Sequence, residues 1–599
     1  MVYLPRLPVT TIAYGILGHA PADILTLFDT NQLPRWQQHR QNNVSSALTL
    51  SPAWNATKEF FRFTRGRFLR NEAQELSERC VKFNVDELAR IAAEACGGSQ
   101  CVKVEKFADG MYNKSLLFSM DNGTQVVGKV PNPNAGSPHF TTASEVATMD
   151  FYYLGARDSK TRLGLKYIIM ERSPGVQLDE LWDQLDVGVR WKVVQSLAKY
   201  QKLWTDVSFP QFGSLYYKHD LIPVRSLVYT NGEAGEIVDD RFAIGPSTSR
   251  QSTEHGRLCV DFDRGPCKLV SDLIPVRKGN SCTDGVVIGN TAMEYEVASG
   301  RREMRAIEEL SQFPKSPIAI YAPGTYRPSK EKKIAAINGY LKVVKYLLPL
   351  DKSIQTSHIW HDDLHAGNIF VNPDNPPEIL GFIDWQAAEL APLYHHVLEP
   401  YVLDYDGPPL DSVLHRPSLE EVKKLFGSDA ISQKKAEKLF AEMSLVALFR
   451  RLVQKTNQQL FRGLQFRETL NFNLLLFARN LLVDGEATYL ALLEELREKW
   501  SEIPGVQEAG NPPFPIHISA EEVSIVKADC EGAAAAIDLM KEVQERAGKK
   551  YFRMQGVVDH AQFDEAKRAL RNAKVEMIKE HAKNDEEVKA WNAAWPFDD

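Results

Sequence analysis

At 599 residues the chain is too long for one compact core, so two to four domains or lobes are expected. Its 44% hydrophobic and 25% charged residues are those of ordinary soluble globular protein, and the net charge of −7 excludes a general pull toward nucleic acid or anionic membrane. Seven scattered cysteines without a C-x2-C pair point to a reduced compartment with free thiols and no zinc site.

Residues 1–57 read as a leader of the mitochondrial presequence kind: Arg6, Arg35 and Arg40 give a mild basic bias, against which Asp23 and Asp29 count. Pro21, His19 and Asp23 interrupt the apolar stretch Leu7–Phe28, so no transmembrane segment is expected there. Residues 58–100 form an N-terminal helical segment. Asn84 to Ala95 carries a helical apolar period and stops at Gly97-Gly98.

Residues 101–172 read as a small lobe built on antiparallel strands. Val102–Phe107, Ser115–Met120 and Gln125–Val130 are separated by the hairpin signals Asp109-Gly110 and Asn122-Gly123. The first turn, with Gly110 and Asn113, is where a nucleotide would meet the sheet, although a plain hairpin has the same pattern. Lys129 on the third strand and Glu145 in the helical stretch Thr142–Tyr153 are spaced as a lysine that holds phosphates and the carboxylate that fixes it. Tyr167–Glu171 then leads into Arg172-Ser173-Pro174-Gly175. Backbone groups near Met170 and Glu171 would bind adenine, or the segment is a buried edge strand without a ligand.

Residues 173–425 read as a large lobe, with helices over Val187–Trp204 and Ser329–Leu348. A Gly-, Ser- and Asp-rich insertion, about 213–306, would cover the acceptor side. The strongest chemical signal is His361-Asp362-Asp363-Leu364-His365-Ala366-Gly367-Asn368, followed by Ile383-Asp384-Trp385. This spacing suits phosphoryl transfer from ATP with Mg2+: Asp363 takes the acceptor's proton, and Asn368 and Asp384 hold the metal. His361 orients the loop through backbone hydrogen bonds. Asn368–Val371, a turn at Pro373–Pro377 and Glu378–Asp384 would form a hairpin that sets Asn368 beside Asp384. Residues 426–599 form a helical C-terminal extension, with helices over Ser432–Phe466, Thr469–Trp500, Ser519–Ala547 and Ala561–Lys583 and a break at Pro512–Pro515.

The catalytic loop with Ile383-Asp384-Trp385 resembles the aminoglycoside phosphotransferase family. The resemblance implies an α+β, bilobal protein-kinase-like fold, a small antiparallel-sheet lobe, a larger helical lobe, ATP and Mg2+ as cofactors, and a small-molecule hydroxyl acceptor. Trp385, where protein kinases carry Phe-Gly, disfavours a protein kinase. Two departures stand out. Asp362 replaces the family's usual Gly and adds a negative charge beside Asp363, and the short segment Phe151–Lys166 predicts a small lobe that lacks a strand. A narrower similarity, through Glu59–Glu72, Val127–Pro133, Thr142–Met149, Ile244–Ser247 and Asp263–Pro266, is to fungal proteins related to altered inheritance of mitochondria protein 9, which implies a mitochondrial location. The alternative to an enzyme is a catalytically weak nucleotide-binding regulatory or scaffold protein.

Overall fold

The Asn84 side chain accepts from the Glu87 N–H at 3.0 Å and so starts helix α1 (Val85–Ala95), which ends before left-handed Gly97. In the computed structural model, which describes residues 54–152, 156–158, 167–221, 226–232, 234–265, 291–397, 399–403, 418–552 and 556–598, this helix covers one face of the small-lobe sheet. The leader reading therefore falls almost wholly outside the described residues. Trp54 and Asn55, at its end, hydrogen-bond to Asp86 and Asn84.

Following the two-residue strand β1 (Arg67–Phe68), the sheet is built from β2 (Cys101–Lys106), β3 (Asn113–Met120), β4 (Gln125–Pro131), β5 (Ala156–Asp158) and β6 (Ile168–Glu171). Its order is β2-β3-β4-β6-β5, antiparallel throughout. Leu88, Ala89 and Ala92 of α1 pack on Leu116, Phe118, Val126 and Val130. The expected missing strand is present. β5 pairs with β6 at the sheet edge, and its Ala-Arg-Asp sequence shows no apolar alternation, so edge hydrogen bonding makes the strand where the side-chain pattern does not.

Helix α2 (Pro138–Phe151), which carries Glu145, lies between the lobes and packs on the strand Ser214–Tyr217. The chain crosses to the large lobe at β7 (Val176–Gln177), the third strand beside the hairpin β8 (Ile369–Asn372) and β9 (Asn375–Phe382). The hairpin turns at Pro373-Asp374, tighter than expected. Pro376 and Pro377 continue in β9, where its edge position tolerates the missing N–H groups.

The large lobe is helical: α3 (Val187–Asp206), the short α4 (Arg250–Thr253), α5 (Ala292–Glu309), α6 (Lys330–Leu347) and α7 (Ala430–Thr456) contribute to it. Much of stretch 213–306 is core rather than cover. Leu215, Phe242, Ile244, Ala306 and Ile307 are buried in the main core. The buried face of α5 also carries Glu296 and Glu303. These pair with His395 at 2.5 Å and Arg257 at 2.8 Å, which masks the helix's apolar period. Residues 266–290 of this stretch lie outside the described set.

In the extension, α8 (Ala520–Ala547) and α9 (Phe563–His581) form a separate core around Met540, Val543, Leu570 and Met577. Leu69, Ile320 and Ala322 join it, and β10 (Val557–Val558) pairs with β1. The first strand and the C-terminal helices are thus folded together. No helix among the described residues is long and apolar enough to cross a membrane.

Candidate active site

Lys129 sits on the inner strand β4, opposite Ser115 on β3 and Ile168 on β6, so its side chain leaves the sheet at a fixed point. Glu145 meets it from α2, which aromatic contacts pin against the large lobe: Phe140 with Tyr216, and Phe151 with Phe209, Tyr229 and Phe242. Lys129 Nζ donates to Glu145 Oε1 at 2.5 Å and to Asp384 Oδ1 at 2.6 Å. One ammonium therefore joins the two lobes through two carboxylates. Burial pushes Glu145 up to about 7 against the pull of Lys129. Burial also opposes the charge on Asp384, but Lys129 outweighs it and holds that carboxyl below its usual range.

Asp384 has φ +65°, the left-handed region that aspartate tolerates better than bulkier residues. One residue, Ile383, separates it from β9, and Ile383 N–H donates to Asn368 O at 3.0 Å. The hairpin thereby brings Asn368 and Asp384 together, as the sequence pattern predicts. Asn368 Nδ2 donates to the Asp363 carbonyl at 2.8 Å, an orientation that leaves its Oδ1 for another partner. A cation held by hard oxygens fits this amide oxygen together with the Asp384 carboxylate.

His361 Nε2 lies 2.8 Å from the Ile383 carbonyl and therefore donates to it. Burial lowers its pKa and keeps the ring neutral, while its edge packs on Trp385 at 4.7 Å between centroids. Both contacts tie the loop to the segment that follows β9. The carboxylate of Asp363 is half-exposed in the cleft, with Arg250 Nη2 3.6 Å from its Oδ2. Asp362 turns elsewhere: its Oδ1 is 3.1 Å from His396 Nδ1, and its carbonyl accepts from Tyr401 Oη at 3.2 Å. A Cβ at Gly367 would lie 3.0 Å from Asp179 Oδ2 and 3.1 Å from the His365 ring, a tight fit to which those side chains would have to adjust.

The other nucleotide-side candidates are engaged within the protein. Gly110 N–H donates to Asn113 O at 3.0 Å inside the turn, and Asn113 Nδ2 donates to Gln386 Oε1 at 2.5 Å. Met170 is flanked by Val127 on β4 and Ala156 on β5, and Glu171 pairs with Val126 on β4. The hairpin tip itself is clamped. Buried Asp109 accepts from Thr64 N–H at 2.7 Å and Lys106 Nζ at 2.8 Å, and Met111 O accepts from Arg79 Nε at 3.1 Å.

Sequence reasoning missed Gln386, which ties Asn113 to the metal-side strand end and donates to Ala135 O at 3.0 Å. It also missed Arg250, which lies in the serine-rich run Ser247-Thr248-Ser249 with no spacing that links it to the catalytic loop.

Residues 302–397 match the phosphotransferase enzyme family, a segment that contains the catalytic loop and Asp384 but neither Lys129 nor Glu145. The chain is 27% identical over 521 residues to a subtelomeric hrmA-associated cluster protein of Aspergillus fumigatus, covering 83% of this chain and 97% of that one. It is 24% identical over 456 residues to altered inheritance of mitochondria protein 9, mitochondrial, of Saccharomyces cerevisiae, covering 62% of this chain and 68% of that one. Among solved structures, the aminoglycoside phosphotransferase APH(4)-Ia is 11% identical and covers 75% of this chain and 98% of its own, at a TM-score of 0.29. At that level no detail of chemistry transfers. The two resemblances read from the sequence both recur among these matches.

Proposed function

We propose that the protein is an ATP-dependent phosphotransferase acting on the hydroxyl of a small molecule. The carrying observation is the hydrogen-bonded chain from Glu145 through Lys129 to Asp384, with Asn368 beside it and the Asp363 carboxylate open to the cleft. In this reading Lys129 holds the α- and β-phosphates and Glu145 keeps it in place. Asn368 and Asp384 would hold Mg2+, which when bound supplies charge neutralisation at the phosphates. Asp363 accepts the hydroxyl proton as the acceptor oxygen attacks the γ-phosphorus, and ADP leaves with the electron pair of the broken bond. Adenine would lie against the backbone near Met170 and Glu171.

The relatives named for mitochondria support a mitochondrial location, a proposal of the same standing. ATP consumption by the full chain against panels of amino-alcohols, sugars and aminoglycosides tests the activity. Turnover in wild type and its loss, on the order of 100-fold or more, in Asp363→Ala is the expected result. Mg-ATP binding without turnover against any acceptor, unchanged in Asp363→Ala, would favour a nucleotide-binding scaffold instead.

A further inference from the structure

The Arg250 guanidinium reaches the mouth of the cleft from a rigid base. Ser247 Oγ donates to Glu389 Oε1 at 2.8 Å and lies 3.0 Å from Ser249 Oγ; Thr248 N–H donates to Ser214 Oγ at 3.0 Å, and Ser214 Oγ donates to Ala388 O at 3.0 Å. All of these side chains are buried, and Glu389 is in turn 3.5 Å from Arg479. A buried hydrogen-bond network of this kind fixes the backbone that it carries. What it carries is α4, whose first residue is Arg250.

Among the described residues the guanidinium is surrounded but not hydrogen-bonded. Its Nη2 is 3.6 Å from Asp363 Oδ2, its Nε is 3.9 Å from Glu254 Oε1, and its Cζ stands 4.5 Å over the Tyr112 ring. Those separations exceed hydrogen-bond length, so the planar fork keeps its donors. Its charge acts on Asp384 as well as on Asp363. Tyr112 belongs to the hairpin tip on the nucleotide side, and its Oη donates to Glu254 Oε1 at 2.9 Å. Arg250 is therefore bounded by the phosphate-side hairpin, the base and the metal-side carboxylate.

Transfer between Asp384 and Asp363 carries an anionic phosphoryl group, its charge spread over three oxygens, past two carboxylates, and Lys129 is already shared between Glu145 and Asp384. We propose that Arg250 is a catalytic residue whose guanidinium contacts the equatorial oxygens of the transferring phosphoryl group; this rests on the phosphotransferase reading above. The bond from acceptor oxygen to phosphorus forms as the bond from phosphorus to the ADP oxygen breaks. The proton goes to Asp363, and Arg250 offsets the charge on the three oxygens that neither make nor break a bond. Arginine suits the task better than lysine because its fork addresses two oxygens at once.

The test needs no acceptor. Calorimetry on the full chain would compare Mg-ADP with Mg-ADP plus aluminium fluoride, a planar stand-in for the phosphoryl group, in wild type, Arg250→Ala, Arg250→Lys and Asp384→Ala. Wild type should bind the fluoride complex more tightly than Mg-ADP. Arg250→Ala should bind Mg-ADP within about 2-fold of wild type yet lose on the order of 100-fold of that tightening, with Arg250→Lys between them. Equal tightening in Arg250→Ala and wild type would overturn the assignment and leave the phosphotransferase reading intact. Loss of Mg-ADP binding and of thermal stability together in both Arg250 variants would overturn it too, by making Arg250 structural. Failure of wild type to bind Mg-ADP, or binding indifferent to Asp384→Ala, would remove the broader reading and this inference with it.

Discussion

Lys129 is the residue on which the cleft depends most, because it is a buried cation shared by two carboxylates from different lobes. Its removal leaves Glu145 and Asp384 facing each other without compensation, and breaking a buried ion pair costs about 3–5 kcal/mol. Protonation of Glu145, already pushed up to about 7 by burial, absorbs part of that cost. Lys129→Met is therefore expected to stay folded and to lose turnover by roughly 100-fold or more, since charge stabilisation of the phosphates is lost. Full activity with an unchanged melting curve would place Lys129 outside the site. A second residue sets a pH dependence. His358, just before the catalytic loop, is buried, and that burial lowers its pKa to about 4 despite the nearby Trp204 carbonyl. Its folded pKa lies below the ordinary value of roughly 6.5, so the stability it contributes is complete above that pH and is lost as pH falls toward 4. The full loss is about 3 kcal/mol. Chemical denaturation of wild type and His358→Gln at pH 7 and pH 4.5 checks this. Equal pH slopes in the two proteins would show that another group is responsible.

Where a segment has its own start and stop signals, sequence and structure agree. Asn84 and Ser329 cap the helices expected after them, and the loop from His361 to Asp384 folds into the expected hairpin. Elements made by their neighbours were not legible. β5 exists because β6 offers an edge, and α5 is buried because Arg257 pairs with Glu303 while His395, Tyr340 and Tyr394 hydrogen-bond to Glu296. Of the site, the six residues Lys129, Glu145, His361, Asp363, Asn368 and Asp384 carry recognisable spacing and do converge. Gln386 lies in a turn and Arg250 opens a four-residue helix, neither with a periodic pattern, so only the folded chain brings them in. The crossing between lobes is an element-scale constraint of another kind. Gly175 has φ +79°, and a Cβ there would stand 2.2 Å from the Val371 carbonyl oxygen and 2.7 Å from Leu380 Cδ1. Strain at such a position costs roughly 1–3 kcal/mol. Gly175→Ala should accordingly lower the unfolding free energy by at least that much and weaken nucleotide affinity, because β7 docks beside the catalytic hairpin. A melting temperature equal to wild type would mean that the crossing is less constrained than its geometry indicates.

At the scale of the whole molecule, the N-terminal segment is a strap between the C-terminal helices and the nucleotide-side hairpin. At one end β1 pairs with β10, and Leu69 is buried with Met540 and Leu570. At the other, Thr64 binds Asp109, Arg79 binds the Met111 carbonyl, and Lys114 Nζ donates to Arg62 O at 3.0 Å. Phe63, Phe68 and Val557 form one apolar cluster against which Met111 packs, so residues more than 400 positions apart in sequence hold the same turn. Helical periodicity in the extension predicts its helices but says nothing of this tie, which depends on two-residue strands too short to leave a pattern. The strap gives the final prediction. Gly66 sits where a Cβ would meet the Val558 carbonyl oxygen at 2.4 Å, and Val557 is buried beside two phenylalanines. Gly66→Ala pushes β1 off β10, and Val557→Asp puts a charge into the apolar cluster, at a cost of several kcal/mol unless the carboxyl protonates. Both variants should leave the main core folded, because that core contains neither residue. Hydrogen exchange at the backbone of residues 107–113 should rise well above wild type, and Mg-ADP should bind on the order of 10-fold more weakly, since about 1.4 kcal/mol of hairpin ordering would then have to come from the ligand. Unchanged exchange at 107–113 in both variants would show that the hairpin is held by Asp109 and its lysines alone, and that the C-terminal helices have no hold on the nucleotide side.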